Sequence, residues 1–287
     1  MRVAIIGSNG QLGSELLKAC DQFGHAGHGL LHSDVEVSDP NSVSAALDRI
    51  NPDLVVNTAA FHKVDLCEQE PVKTFQINSW GALNVARWCA AHDKIHAFIS
   101  TDYVFSGESD RPYVETDPPG PRMAYGVSKA AAESMCLSVA PKGYVFRVSA
   151  VFGVAGASGK GGNFVDTVLR LAGDRDEVAF IDDMHTSVTY APHAASFILD
   201  VITRKLDFGI WHAANDGGTT WHEFASTIVE KAGLSCKVNT QPMSAFPFGA
   251  PRPRNSVLSV GKAHKAGVPL PHWTDGLDGY LKEKGVL

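Results

Sequence analysis

Val3-Ala4-Ile5-Ile6-Gly7-Ser8-Asn9-Gly10-Gln11-Leu12-Gly13 is an apolar run that stops at a glycine and then places a glycine at every third position. The run reads as a buried strand, and the glycines read as the turn from that strand into a helix. A pyrophosphate lying in such a turn needs backbone N–H groups with no side chain in the way, at the positive end of a helix dipole. Gly7 then serves the tight turn, Gly10 the close approach of the ligand, and Gly13 the packing of helix on strand. A bare glycine triplet is also what a flexible loop would carry. Directly after an apolar strand, it predicts a nucleotide-binding α/β fold.

The alternation continues outward from this turn. Residues 3–6, 29–31, 54–56, 97–99 and 144–148 read as strands, and 11–20, 41–50, 71–92 and 124–139 as helices. Asp39 suits the cap of the second helix and Pro40 its first turn. Ala82, Val85, Ala86, Cys89 and Ala90 give the third an apolar stripe. Strands alternating with helices predict a Rossmann-type doubly wound parallel sheet, assigned to an NAD(P)-binding domain over residues 1–150. Five glycines between 153 and 162 read as a mobile loop. Beyond it, helices at 163–172, 192–203 and 221–232 and strands at 178–181 and 209–213 predict a smaller C-terminal α/β substrate lobe. That lobe spans 151–287, with excursions back into the first domain expected. Trp211, Trp221 and Trp273 are expected to pack it.

Composition narrows the function classes. The 287 residues carry 44% apolar and 20% charged side chains and a net charge of −6, which suits a globular protein and argues against nucleic acid as a partner. No stretch approaches a membrane span, and the first apolar run is too short for a signal peptide. Five scattered cysteines without a Cys-x-x-Cys pair argue against a disulfide framework or zinc ribbon. A cytoplasmic location is the expectation. His25, His28 and His32 straddle a turn and a strand, so they share no helix face and are read as ordinary surface and core residues; no metal site is predicted.

The chemistry is read from Tyr125-Gly126-Val127-Ser128-Lys129 and from Ser100-Thr101-Asp102 upstream. Four residues apart on a helix, Tyr125 and Lys129 share one face. A phenol protonated at neutral pH can donate to an alkoxide as it forms, and a nearby ammonium lowers the phenol's pKa. Thr101, at the end of the fourth strand, is placed to bring its hydroxyl to the same carbonyl oxygen. A nucleotide cradle followed by a proton donor fits reduction of a carbonyl by NADPH or NADH. The second strand ends Leu31-His32-Ser33, with neither an acid for ribose hydroxyls nor an arginine for a 2′-phosphate, so the choice of cofactor stays open with a lean to NADPH. Asn57-Thr58-Ala59-Ala60 closes the third strand and reads either as a floor for the adenosine or as a plain strand end. Arg252 and Arg254 read either as diphosphate contacts or as solvated charge.

Assembled, these pieces resemble the dTDP-4-dehydrorhamnose reductase family of extended short-chain dehydrogenase/reductases. The resemblance runs nearly end to end, through Gly10-Gln11-Leu12-Gly13, Val56-Asn57-Thr58-Ala59-Ala60, Val64-Asp65, Glu68, Ser100-Thr101-Asp102-Tyr103-Val104-Phe105, Glu115-Thr116-Asp117, Arg147-Val148-Ser149, Asn163-Phe164-Val165 and Arg252-Pro253 with Ser256. Turn and resemblance together imply a cofactor site of Gly7, Asn9, Gly10, Gln11, Leu12, Gly13, Glu36, Val37, Ala59, Ala60, Phe61 and His62 with Tyr125 and Lys129. The resemblance also implies Thr101, Tyr125 and Lys129 as catalytic residues and Thr101, Asp102, Asn163 and Arg252 as contacts to a nucleotide-sugar substrate. Two departures stand out. Ala150 replaces the tryptophan that usually faces the sugar after Arg-x-Ser, and only Glu15 matches a three-glutamate magnesium site that some members use to dimerise. A monomer or weak homodimer without that metal is expected. A nucleotide-sugar epimerase or dehydratase on the same scaffold, and a regulatory subunit resembling the β subunit of methionine adenosyltransferase, remain as alternatives.

Overall fold

The apolar strands of the first half lie side by side in the computed structural model, which describes residues 1–155 and 162–287. β1 (Arg2–Ile6), β2 (Ala26–Leu30), β3 (Leu54–Asn57), β4 (Ile95–Thr101) and β5 (Gly143–Val148) are all parallel. α1 (Gln11–Gln22) follows β1, α2 (Pro40–Ile50) follows β2, and α3 (Val64–Gln69), α4 (Pro71–Phe75) and α5 (Ala82–Ala91) precede β4, with α6 (Ala124–Val139) before β5.

The single helix expected over 71–92 is interrupted: Gln76–Gly81 is π-helical. Such turns displace side chains from the regular ladder and cluster at functional sites. Here Asn78 and Ser79 face α6, where Asn78 Nδ2 donates to Ser128 Oγ at 3.1 Å and Ser79 Oγ to the Ser128 carbonyl at 2.8 Å. Asp39 caps α2 as expected, accepting from Asn41 N–H at 2.9 Å. α3 was not expected from periodicity, because six residues are too few to show a 3.6-residue repeat.

The second half supplies β6 (Val151–Phe152), α7 (Phe164–Asp174), β7 (Glu177–Ile181), β8 (His185–Thr186), β9 (Thr189–Tyr190), α8 (Ala191–Thr203), β10 (Gly209–His212), β11 (Thr219–Thr220), α9 (Trp221–Lys231), β12 (Lys237–Gln241), α10 (Gly261–Lys265) and α11 (Trp273–Glu283). β10 joins the main sheet, whose order is β10-β5-β4-β3-β1-β2. The short strands pair among themselves as β11-β8, β12-β7 and β6-β9. Of the glycine-rich loop, Gly156, Gly159 and Gly161 lie outside the described residues. No helix among the described residues is long and apolar enough to cross a membrane.

Period-two alternation assigns each strand residue to a layer. Val3, Ile5, Leu54, Val56 and Phe146 meet Leu16 of α1 and Ile198 of α8. Ala4, Ile6 and Val55 meet Val43 and Leu47 of α2 and Val85 of α5, while Phe98 and Val145 meet Ala132 and Cys136 of α6. A separate cluster, including Phe152, Val165, Phe224, Trp273 and Tyr280, fills the second half. Trp273 packs there as expected. Trp211 does not: as part of β10 it is buried in the main sheet core against Phe197. All five cysteines are buried.

Candidate active site

A doubly wound sheet opens a crevice outside the carboxyl ends of its strands, where the strand order reverses. Here that point lies between β1 and β3. The turns after them are stitched together, with Thr58 Oγ1 donating to the Ile6 carbonyl at 2.7 Å. Gly7 has φ +81°, a left-handed conformation that favours glycine. A Cβ on Gly13 would strike the Gly7 carbonyl and the Ser8 Cα, so α1 sits on β1 as closely as backbones allow. A Cβ on Gly10 would meet only the Gly7 carbonyl, at 3.3 Å. No side chain caps α1, so its first N–H groups are left to the crevice. This cradle fits the diphosphate of a dinucleotide.

A cleft of about 550 Å³ runs from this turn across the sheet. Gly7, Asn9, Gly10, Gln11, Leu12 and Gly13 line one end, with Glu36, Val37, Ala59, Ala60, Phe61 and His62. Glu36 reaches the cleft although it lies beyond the second strand. Its carboxylate accepts from Ser38 N–H at 2.9 Å and Ser38 Oγ at 2.8 Å, which holds its pKa below the usual range, and His32 Nε2 lies 3.6 Å away. Gln11 Nε2 donates to the Val151 carbonyl at 3.1 Å and ties the turn to the chain leaving β5.

Thr101, Asp102, Tyr125 and Lys129 line the other end. α6 is held in place from several sides. Glu68 of α3 accepts from Ala124 N–H at its N-terminus, at 2.5 Å, and Arg147 of β5 donates to both oxygens of Glu133 at 2.9 and 2.6 Å. That ion pair is almost wholly buried. Removing either partner would strand a charge, so it fixes the helix carrying Tyr125 and Lys129 against the sheet. Asn78 adds a further tie: it accepts from Phe61 N–H at 2.7 Å and donates to the Phe61 carbonyl at 3.0 Å.

The electrostatics differ from the simple expectation that the lysine tunes the phenol. Lys129 Nζ donates to the Ile99 carbonyl at 2.6 Å and lies 3.9 Å from the centre of the Phe98 ring; burial lowers its pKa to about 7. Burial raises the Tyr125 phenol, and the adjacent Asp102 carboxyl raises it further, while a hydrogen bond with Thr101 opposes both. Asp102, only 3% exposed, is pushed up to about 6 by burial, against the Thr101 hydroxyl that donates to its Oδ1 at 3.1 Å.

Two residues expected at the substrate are not among those lining the cleft. Asn163 caps α7 in a capping box with Asp166, and its Nδ2 donates to the Gly153 carbonyl at 3.0 Å and to Tyr280 Oη at 2.9 Å. Arg252 pairs with Asp65 at 2.8 Å and lies over the Phe248 ring; its charge acts on Tyr103, which does line the cleft. Sequence reasoning missed Thr186 and gave Trp221 to packing alone. Trp221 does pack, on Phe164 at 4.6 Å between ring centres, but both residues also line the cleft near Ala150. No spacing signal marks either one. Ala150 has φ +38°, strained for a residue with a Cβ, at the end of β5.

The arrangement joins a dinucleotide cradle to a phenol, an amine and a hydroxyl. Residues 1–285 match the family model for the RmlD substrate binding domain. The chain is 35% identical over 283 residues to a spore coat polysaccharide biosynthesis protein of Bacillus subtilis, covering 99% of this chain and 98% of that protein. It is 35% identical over 300 residues to dTDP-4-dehydrorhamnose reductase of Escherichia coli, with 99% and 98% covered. Among solved structures, dTDP-4-dehydrorhamnose reductase of Bacillus anthracis in complex with NADP superposes with a TM-score of 0.92 at 31% identity, over 98% of this chain and 99% of that one. With residues 1–285 matched by the family model and near-complete coverage by these relatives, the chain belongs to the dTDP-4-dehydrorhamnose reductase family.

Proposed function

We propose that the chain reduces the C4 ketone of a nucleotide-linked 4-keto-6-deoxysugar with NADPH or NADH. The substrate we assign is dTDP-4-dehydro-L-rhamnose, giving dTDP-L-rhamnose for deoxysugar and polysaccharide biosynthesis. The observation that carries this reading is the meeting of Tyr125, Thr101 and Lys129 in the one cleft that begins at the glycine turn. The relatives' names support the sugar, and the NADP held by the Bacillus anthracis structure supports a preference for NADPH.

The turn at Gly7, Gly10 and Gly13 holds the diphosphate, and Glu36 lies at the far end with the adenosine. When bound, the reduced cofactor supplies the hydride. Tyr125 donates its phenolic proton to the C4 oxygen as negative charge develops there, and Thr101 hydrogen-bonds the same oxygen. Burial keeps the phenol protonated across the neutral range. Lys129 lines the same end of the cleft with its Nζ held on the Ile99 carbonyl, and its pKa of about 7 lets it gain or lose a proton near neutrality. Thr186, Trp221 and Ala150 border the sugar side of the cleft. Asp102 and Arg252 belong to the same side, Arg252 through its pairing with Asp65. The chain acts in the cytoplasm as a monomer or weak homodimer in this account, and light scattering across a concentration series tests the assembly.

The decisive assay incubates the purified chain with NADPH and a panel of nucleotide-linked 4-ketosugars, following loss of cofactor absorbance and identifying the product by NMR. Oxidation of NADPH with formation of the 4-hydroxy sugar is the expected result. Inertness toward the whole panel would overturn the assignment.

A further inference from the structure

A guanidinium carries more N–H donors than one carboxylate can take. Arg147 gives Nε and Nη2 to Glu133, and its buried Nη1 has no hydrogen-bond partner among the described residues. On the next strand, His212 Nε2 is likewise buried without a partner among the described residues. We propose that a water molecule binds between Arg147 Nη1 and His212 Nε2 and completes the polar shell of the ion pair that anchors α6.

The fold brings the two side chains together. β5 and β10 run parallel with Arg147 opposite His212 in register, so both side chains leave the same face of the sheet, about 4.8 Å apart at the backbone. That face is the one α6 covers, because Arg147 meets Glu133 there. Both side chains then rest on one ring. Arg147 Cζ lies 4.8 Å from the centre of Phe105, and the His212 imidazole meets the same ring edge-on at 6.0 Å. Arg147 and His212 are both 0% exposed. Phe105 itself packs with Val104, Tyr113, Ala214 and Leu258, so the surround is largely apolar.

The protons decide the occupant. His212 Nδ1 lies 2.9 Å from the Ser259 carbonyl, which only accepts, so Nδ1 carries the hydrogen of the neutral ring. Burial, and after it the Arg147 charge, keeps that ring neutral. Nε2 therefore presents a lone pair, while Arg147 Nη1 presents hydrogens. The guanidinium repels a cation, and the lone pair repels an anion. Water accepts from the one and donates to the other, and two polar partners are enough to hold it in a buried site.

Ser100 sets the competing position. It lies opposite Arg147 on the other flank, in β4, and its buried Oγ also has no partner among the described residues. Ser100 lines the open cleft, whereas His212 does not, so only the His212 side is sealed. Without a bridge, a donor and an acceptor would stay buried and unpaired beside the ion pair that seats Tyr125 and Lys129, a cost that water removes. The inference is independent of the ketone assigned to the cleft.

A crystal structure of the full chain at atomic resolution tests it. The expected result is one fully occupied water within about 2.7–3.2 Å of both Arg147 Nη1 and His212 Nε2. A direct contact between the two side chains, or a water on Arg147 Nη1 and Ser100 Oγ that leaves Nε2 bare, would overturn the proposal. Long-range proton–nitrogen NMR on labelled protein at neutral pH should find the hydrogen on Nδ1 and the lone pair on Nε2; the reverse tautomer contradicts the assigned roles. His212→Phe keeps a ring against Phe105 and removes the acceptor, so its map should lose this water while Arg147 keeps both bonds to Glu133. The same water at full occupancy in that variant also sinks the proposal. The wild-type map and the NMR decide the question even where the variant does not fold.

Discussion

The two ends of the cleft are built from different material. At the glycine turn the working surface is backbone: a left-handed Gly7, an uncapped helix start, and a Gly13 whose hydrogen atom is all that fits against Gly7. Seven consecutive residues, Gly7 to Gly13, at the turn from strand to helix supply it. At the other end the working surface is side chains, brought together from β4, α6, the end of β5, β8 and the start of α9. A backbone site is local and constrained by sterics, whereas a side-chain site depends on the whole fold placing distant segments. Substitutions should therefore fail differently at the two ends.

The largest expected effect lies at the turn. Gly13→Val drives Cβ into backbone atoms of Gly7 and Ser8, which cannot yield as a side-chain end would; a loss of about 3 kcal/mol or more in stability is expected. Gly10→Val meets only one carbonyl, so thermal unfolding should stay near the wild type while NADPH affinity, read by fluorescence titration, falls at least ~100-fold. Equal behaviour of the two variants in both measurements would erase the distinction between packing glycine and ligand glycine.

The next effect contrasts two buried titratable groups on and just past β4. Asp102 lines the cleft with the Thr101 hydroxyl on its Oδ1. His96, near the start of the strand, is wholly buried with neither ring nitrogen hydrogen-bonded among the described residues, and burial lowers its pKa from 6.5 to about 4. The folded chain thus binds the His96 proton more weakly than the unfolded chain does. Stability should be lost as pH falls below about 6.5, by roughly 3 kcal/mol once pH 4 is reached. Urea unfolding at several pH values measures this, and His96→Leu should flatten the acid slope. A slope unchanged in that variant would contradict the assignment.

The smallest expected effect concerns the strap that Arg252 and Asp65 fasten. The pair is partly exposed, so Arg252→Gln should cost about 1 kcal/mol or less. KM for the sugar nucleotide should nevertheless rise ~3- to 10-fold with kcat held, because the segment beside Tyr103 loosens. A change in kcat with KM held would place Arg252 at the reacting atoms instead.

The same contrast explains what could be read in advance. The parallel sheet was legible because strands buried on both faces must be apolar throughout, and the turn because only glycine satisfies its sterics. The Tyr125-x-x-x-Lys129 pair was legible because helical spacing puts both on one face. What spacing could not reveal is where Lys129 points: to the Ile99 carbonyl, so that Asp102 rather than the lysine is the charged neighbour acting on the phenol. Asn163 looked like a substrate contact and serves as a helix cap, and Trp211 looked like lobe packing and belongs to the main sheet. Thr186 and Trp221 enter the cleft through contacts 60 to 120 residues away in sequence from Thr101 and Tyr125, a distance over which no periodicity carries information.

The most direct test of the whole account is Tyr125→Phe, assayed for turnover and for cofactor binding in the same preparation. The ring stays and only the proton donor goes, so kcat should fall ~100- to 10,000-fold while the Kd for NADPH remains within about twofold of the wild type. Preserved turnover, or a loss of cofactor affinity that accounts for the whole defect, would contradict the role of the phenol as the acid at this cleft.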